Sequence, residues 1–171
     1  MLGELRRVLP DVDALLGSAE AMPLPDGSVD AVACGQAFHW FDPAVALPEL
    51  ARVLRPHGRL GLAWNRLDVE HELAAELDRL VSVSDGDRDP LEALRRPELF
   101  EAIQERTFAF TRELGRDDFV EGIGTSSAVA TLPDAERRAT LRRVGELHDE
   151  AAVNGVVVLP YVTRAYRTTR R

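Results

Sequence analysis

The sequence lacks several features that define common protein classes. All 21 basic residues are arginine, so the chain has no lysine that could act as a nucleophile or base. The single cysteine, Cys34, excludes an intramolecular disulfide and fits the reducing cytosol. No apolar run approaches the roughly 18 residues of a membrane span, and residues 1–10 carry charges where a signal peptide would be apolar. These absences predict a cytoplasmic protein without a membrane partner.

The sequence also lacks an excess of basic residues and the residue spacing of a metal site. The formal net charge is -8, which argues against a nucleic-acid partner. The histidines and the lone cysteine are scattered without the spacing of a metal site, so none is predicted, and His57, His71 and His148 are interpreted as surface residues. With 171 residues and 45% apolar residues, the chain has the length and composition of one globular domain, predicted over residues 1–171.

The stretch Gly17–Asn65 contains the clearest pattern in the chain. Its apolar run Val29–Cys34 predicts a strand, because the run is short and is bounded by turn residues. A small-residue turn, Gly35–Ala37, follows, and an aromatic cluster, Phe38–Phe41, comes next. A second strand is predicted over Arg59–Trp64.

A helix is predicted between these two strands. Asp42 stands where an N-cap belongs, and Pro43 stands at the first helical position. The predicted inward face follows the helical period through Leu47, Leu50, Ala51 and Leu54. Pro56 and Gly58 are typical of a helix end. Strand, helix and strand together predict a βαβ unit, whose strands are parallel.

Several blocks of this stretch resemble the S-adenosylmethionine-dependent methyltransferases of the Rossmann-like class, in particular the type 11 group of small-molecule methylating enzymes. The blocks are Gly17–Glu20, Leu24–Asp30, His39–Asp42 and Glu49–Leu60. Each block alone is a weak pattern, whereas together, in order and at this spacing, they are specific. A looser resemblance continues to about Arg167. The resemblance implies S-adenosylmethionine as cofactor and a small-molecule methyl acceptor.

The resemblance also implies an α/β fold with a Rossmann-like sheet, mostly parallel, with an antiparallel hairpin at one edge. In that hairpin we expect Thr107–Thr111 to pair with Val156–Tyr166. A short strand is expected over residues 12–16, and Ser84–Pro90 is expected to be a mobile polar loop. Further helices are expected over Glu70–Val83, Glu98–Ile103, Asp117–Gly122 and Pro133–Ala152.

One part of the resembled pattern is not found in this sequence. The family begins with a strand, a glycine-rich G-x-G-x-G turn and a helix, and its second strand ends in an acidic residue. No such turn occurs here, so we expect the N-terminal βαβ unit to be missing and the domain to be N-terminally incomplete. That would leave Leu15 and Leu16 without a ladder partner and expose an apolar edge at Val29–Cys34, which favours association, for example as a homodimer.

Two alternatives to an active methyltransferase follow from this pattern. The first is an inactive, N-terminally truncated remnant or half-domain that functions, if at all, by association. The second is an enzyme with a nicotinamide cofactor, which is disfavoured because no G-x-G-x-x-G motif occurs.

The resemblance assigns cofactor-binding roles to two short segments. Ser18, Ala19 and Glu20 would face the adenine ring, although many family members have Asp where Ser18 stands, which predicts a weaker adenine contact. Otherwise these residues form an ordinary strand-to-helix loop. Gly35, Gln36 and Ala37 would lie alongside the cofactor near its sulfonium.

His39 is the candidate catalytic residue. A histidine with a pKa near ~6.5 could take a proton from an acceptor hydroxyl or acid. Alternatively, His39 packs the helix onto the sheet, and packing is the predicted role of Trp40. Few catalytic side chains are expected, because holding the acceptor in line with the methyl group supplies most of the rate gain.

Overall fold

The computed structural model describes residues 2–81, 91–96 and 98–171. The polar loop predicted at Ser84–Pro90 lies outside these residues. The helices are α1 Leu2–Val8, α2 Pro43–Val53, α3 Glu72–Val81, α4 Arg116–Gly124, α5 Ser127–Ala130 and α6 Asp134–Ala151, and a 3₁₀ turn spans Phe38–Trp40. The strands are β1 Val29–Gly35, β2 Leu54–Leu67, β3 Gln104–Gly115 and β4 Val156–Thr169.

The four strands form one mixed sheet in the order β1-β2-β4-β3. β1 and β2 are parallel, and their register places Gly35 beside Ala63. The predicted βαβ unit is therefore confirmed, with α2 as its crossover. The α/β class is confirmed as well.

The remaining strand pairs are antiparallel. The His57 N–H donates to the Arg170 carbonyl, and the Asp68 N–H donates to the Pro160 carbonyl, so β4 runs backwards along β2. β3 is antiparallel to β4, since Phe100, shortly before β3, forms an antiparallel bridge with Arg170, directly after β4. The predicted antiparallel pairing of the last two strands is confirmed.

The described residues divide into two compact units. The first draws on residues 1–63, 89–106 and 165–171, and the second on residues 64–88 and 107–164. A single domain over the whole chain stays a prediction. No helix among the described residues combines the length and apolar character that a membrane crossing requires.

The core of the first unit forms around α2. The Asp42 carboxylate accepts a hydrogen bond from the Ala44 N–H at 3.0 Å, which confirms the predicted cap. Buried side chains of α2 and β2 form the core: Ala46, Leu47, Leu50, Ala51, Val53, Leu54, Leu60 and Leu62. The helix ends at Val53, and β2 begins earlier than predicted, because Pro56 disfavours helical geometry at the residue before it.

The core of the second unit is a separate apolar cluster on α3, α4, α6 and the strands. Its fully buried members include Ala74, Leu77, Phe119, Val129, Val144, Leu147, Val157 and Leu159. The prediction that His148 lies on the surface is wrong, since its exposed fraction is 2%. Its ring packs against the Phe119 ring, with centroids 5.4 Å apart. The other predicted surface histidines, His57 and His71, are exposed.

Two predicted elements do not form. Residues 12–16 make no strand, because no described strand lies beside them and Leu16 is 83% exposed. The helix predicted at Glu98–Ile103 is wrong too. Phe100 is buried there, and the Glu101 N–H donates to the Thr169 carbonyl at 2.9 Å, so the backbone runs along the end of β4.

Candidate functional site

The turn after β1 has an unusual backbone. Gln36 has a φ of 53°, in the left-handed region that few residues other than glycine adopt. Its N–H donates to the Ala63 carbonyl at 2.9 Å, which holds the turn on the end of β2. At Gly35, no described heavy atom outside residues 34–36 lies within 4 Å of the place where a Cβ would stand. Backbone strain beside an open glycine is typical of a site where a ligand approaches the main chain.

The aromatic segment that follows divides into buried and exposed parts. Phe38 is 3% exposed and packs edge-to-face against Phe41. Trp40 is 68% exposed, so the prediction that it packs the helix onto the sheet is wrong. Phe38 is the buried aromatic of this segment. His39 is also exposed, and its ring lies 5.0 Å from the Trp40 ring, which argues against a packing role for His39.

The loop with the predicted adenine contacts is folded on itself. Ser18 and Ala21 form an isolated antiparallel bridge. One carboxylate oxygen of Glu20 accepts a hydrogen bond from the Asp42 N–H at 3.1 Å. That bond lowers the pKa of Glu20, with smaller contributions from its own backbone N–H and from the Ser18 side chain. Glu20 therefore ties its loop to the segment that follows β1.

The sequence prediction missed an anchor at Arg52. Its guanidinium donates to both Glu49 carboxylate oxygens at 2.7 Å and to the Leu24 carbonyl at 2.8 Å. It also donates to the Met22 carbonyl and to the Asp26 carboxylate. Arg52 thus fixes the loop that joins Ser18–Glu20 to β1.

Glu49 completes this anchor. It accepts a further hydrogen bond from the Met22 N–H at 2.7 Å. The Arg52 hydrogen bonds and the Met22 N–H lower the pKa of Glu49 to about 2. Glu49 and Arg52 are three residues apart on α2, so the spacing of a helical ion pair was a sequence signal for this contact.

The Glu20–Asp42 hydrogen bond thus ties the first predicted cofactor segment to the N-cap of α2, five residues after the second segment ends. Ala19 and Ala37 are half-buried, whereas Ser18, Gly35 and Gln36 are exposed. The cofactor and catalytic roles of these residues and of His39 stay predictions. The fold and this arrangement define an α/β protein whose candidate ligand site lies at the carboxyl end of a parallel strand.

Comparisons with known proteins identify the family. Residues 1–62 match the methyltransferase domain family. The chain is 42% identical over 173 residues to an uncharacterized methyltransferase of Mycobacterium bovis, and the match covers 99% of this chain and 70% of that protein. The chain therefore belongs to the methyltransferase family.

Two solved structures support the same fold. One is from Anaeromyxobacter dehalogenans and is assigned to the type II methyltransferases. It is 26% identical with a TM-score of 0.64, and the match covers 94% of this chain and 72% of that one. The YcgJ protein of Bacillus subtilis is 22% identical with a TM-score of 0.55, over 99% of this chain and 76% of that one. At that identity the second comparison supports the fold alone.

Proposed function

We propose that this chain transfers a methyl group from S-adenosylmethionine to a small-molecule acceptor. The observation that carries the proposal is the turn after β1, where Gln36 has a positive φ and the space beside Gly35 is open. A ligand can approach the Gly35 backbone closely because glycine has no side chain. Family membership supports the reaction class, and the acceptor's chemistry is a proposal that rests on the resemblance alone.

The residues present fit the cofactor in this position. Gly35, Gln36 and Ala37 would lie alongside the cofactor near its sulfonium, and Ser18, Ala19 and Glu20 would meet its adenine. Because the Glu20 carboxylate already binds the Asp42 N–H, we expect Glu20 to position the loop. The bound cofactor supplies an activated methyl group on a sulfonium.

His39 would move the acceptor's proton. Its ring is exposed, as is the neighbouring Trp40, so an acceptor can reach it. A neutral imidazole nitrogen can accept a proton from a hydroxyl or an acid as the acceptor oxygen becomes nucleophilic. The variant His39→Asn should slow methylation of a protonated acceptor by roughly 10²-fold or more. It should leave cofactor affinity within a factor of about two, since His39 makes no proposed cofactor contact.

The experiment that tests the proposal is calorimetric titration of the chain with S-adenosylmethionine. We expect micromolar binding for the wild type and at least ~10-fold weaker binding for Gly35→Val, because the new side chain would project into the cofactor's space. Gly122→Val is the matched control, since the position of its Cβ is equally open but lies in α4. Equal affinity of both variants would place the cofactor elsewhere.

A second function, association without catalysis, is supported by one observation. No residue of β1 is buried, although the strand is largely apolar and one of its edges has no partner among the described strands. Such an edge favours pairing with another chain. Absence of S-adenosylmethionine binding up to millimolar concentration would favour this function.

The cytoplasmic location stays a prediction that rests on the single cysteine.

A further inference from the structure

Strand β3 presents a second free edge with different chemistry. It is last in the strand order, so β4 lies along one side and no described strand pairs with the other. It has 12 residues, about twice the usual strand length, and contains no proline. Its charged residues lie towards the two ends, at 105–106 and 112–113, so its middle is an uncharged edge of the kind that pairs with other strands.

The middle of β3 is uncharged and aromatic. Phe108 is 52% exposed and Phe110 is 37% exposed, and both lie on one face because they are two residues apart. The Phe110 ring stacks on Tyr161 of β4, with centroids 5.3 Å apart. Arg112 lies on the same face, since it is two residues beyond Phe110 in β3. The rings of Phe108 and Phe110 and the guanidinium of Arg112 thus belong to one face of the free edge strand.

A second copy of the chain is the simplest partner for this edge, because it carries the same free edge. If the sheet continues through both copies, a two-fold axis perpendicular to it keeps a given side chain on the same face in both copies. Opposite residues of an antiparallel pair also share a face, so the axis must lie at one residue, which then stands opposite its own copy. A centre at Ala109 would place Arg106 opposite Arg112 of the second copy, and like charges directly opposite each other are destabilising.

A centre at Phe110 avoids this repulsion. It places the two Phe110 rings opposite each other and sets Phe108 opposite Arg112 of the second copy, where a cation–π contact can form. It also pairs residues 105–115, whereas a centre at Phe108 pairs only residues 104–112. The register centred on Phe110 therefore gives both the longer overlap and compatible charges.

We propose that the chain forms a two-fold dimer through the free edge of β3, with the strands antiparallel about Phe110. The resulting sheet runs through both copies. An edge contact is a small interface, so the dimer should be in rapid, concentration-dependent exchange with the monomer.

Sedimentation equilibrium on the full chain tests the dimer. We expect dimer formation in the micromolar range and at least ~10-fold weaker dimerisation for Phe108→Lys, because the new charge lies opposite Arg112. Val158→Lys is the matched control, since Val158 is 56% exposed on β4 and away from the free edge. A wild-type monomer at ~100 µM, or equal weakening by both variants, would overturn the proposal.

Single cysteines test the register. In a Cys34→Ser background, Phe110→Cys should form an intermolecular disulfide on mild oxidation, because each new thiol lies opposite its copy. Ala109→Cys should not. Cross-linking at Ala109 alone would overturn the register. If Phe110→Cys loses its fold because the Tyr161 stack is lost, sedimentation of wild type and Phe108→Lys still decides whether the edge forms the dimer.

Discussion

The candidate site and the helix cluster of the second unit are held in place by different kinds of contact. In the helix cluster, Phe119, Val144 and Leu159 are no more than 1% exposed and the contacts are apolar. Around the site, Arg52 and Glu20 hold exposed loops through hydrogen bonds to backbone and carboxylate groups.

The comparison shows how a loop can be held in place without being buried under apolar side chains. Burial under apolar side chains would hide the Gly35–Ala37 backbone from a ligand. Directional hydrogen bonds from Arg52, at some distance from the turn, fix the loop and leave the main chain accessible. We infer that the helix cluster supplies most of the stability of its unit, whereas the hydrogen bonds of Arg52 and Glu20 fix the position of the loops.

The largest expected effect is on the apolar side of this comparison. Leu159→Ala should lower the free energy of unfolding by about 2–5 kcal/mol, because a fully buried leucine leaves a cavity. Urea denaturation of the variant measures the loss. Val158→Ala, at the exposed neighbouring position, should change it by less than about 0.5 kcal/mol. Similar losses for both variants would mean that the cluster is not a packed core.

The second effect concerns Arg52. Arg52→Met should lower the melting temperature less than Leu159→Ala does, but should weaken cofactor binding, because the Met22–Asp26 loop loses its anchor. Arg52→Lys should behave like Arg52→Met, since an ammonium group cannot make the paired bonds of the guanidinium. Arg55→Ala, which removes an exposed ion pair with Asp30, is the control. Unchanged cofactor affinity in Arg52→Met would contradict the positioning role.

The smallest expected effect is a pH dependence of stability, which arises from the Glu49 carboxylate and not from the apolar cluster. The folded pKa of Glu49, about 2, lies below its ordinary value of 4.5. Its stabilising contribution is therefore complete above pH 4.5 and is lost as the pH falls through about 2. Stability measured between pH 5 and 2 should fall more steeply for wild type than for Glu49→Gln. Equal slopes would show that Glu49 does not couple folding to protonation.

The sequence predicted elements whose signals are local. The α2 helix has its cap at Asp42, its first residue at Pro43 and a regular apolar period, and all three signals lie within one segment. The pairing of β3 with β4 was also predictable from two apolar runs and the resemblance.

Features that depend on distant neighbours were not predictable in this way. Residues 12–16 were predicted to form a strand, although the missing N-terminal unit also predicted that Leu15 and Leu16 would lack a ladder partner, and without that neighbour no strand forms. Trp40 was predicted to pack because large aromatic side chains are usually buried, yet it is exposed, and Phe38 is the buried aromatic of the segment. The contacts of Arg52 with Met22 and Leu24 cross about 30 residues of chain, so only the local pair with Glu49 could be anticipated.

The most direct test of the account is hydrogen exchange of the wild-type chain with and without S-adenosylmethionine, resolved by peptide. We expect added cofactor to slow exchange in peptides that contain Ser18–Glu20 and Gly35–Ala37. Exchange across residues 156–158 of β4 should stay unchanged. Protection confined to other segments, or no protection at millimolar cofactor, would contradict the claim that the turn after β1 and the Ser18 loop form the cofactor site.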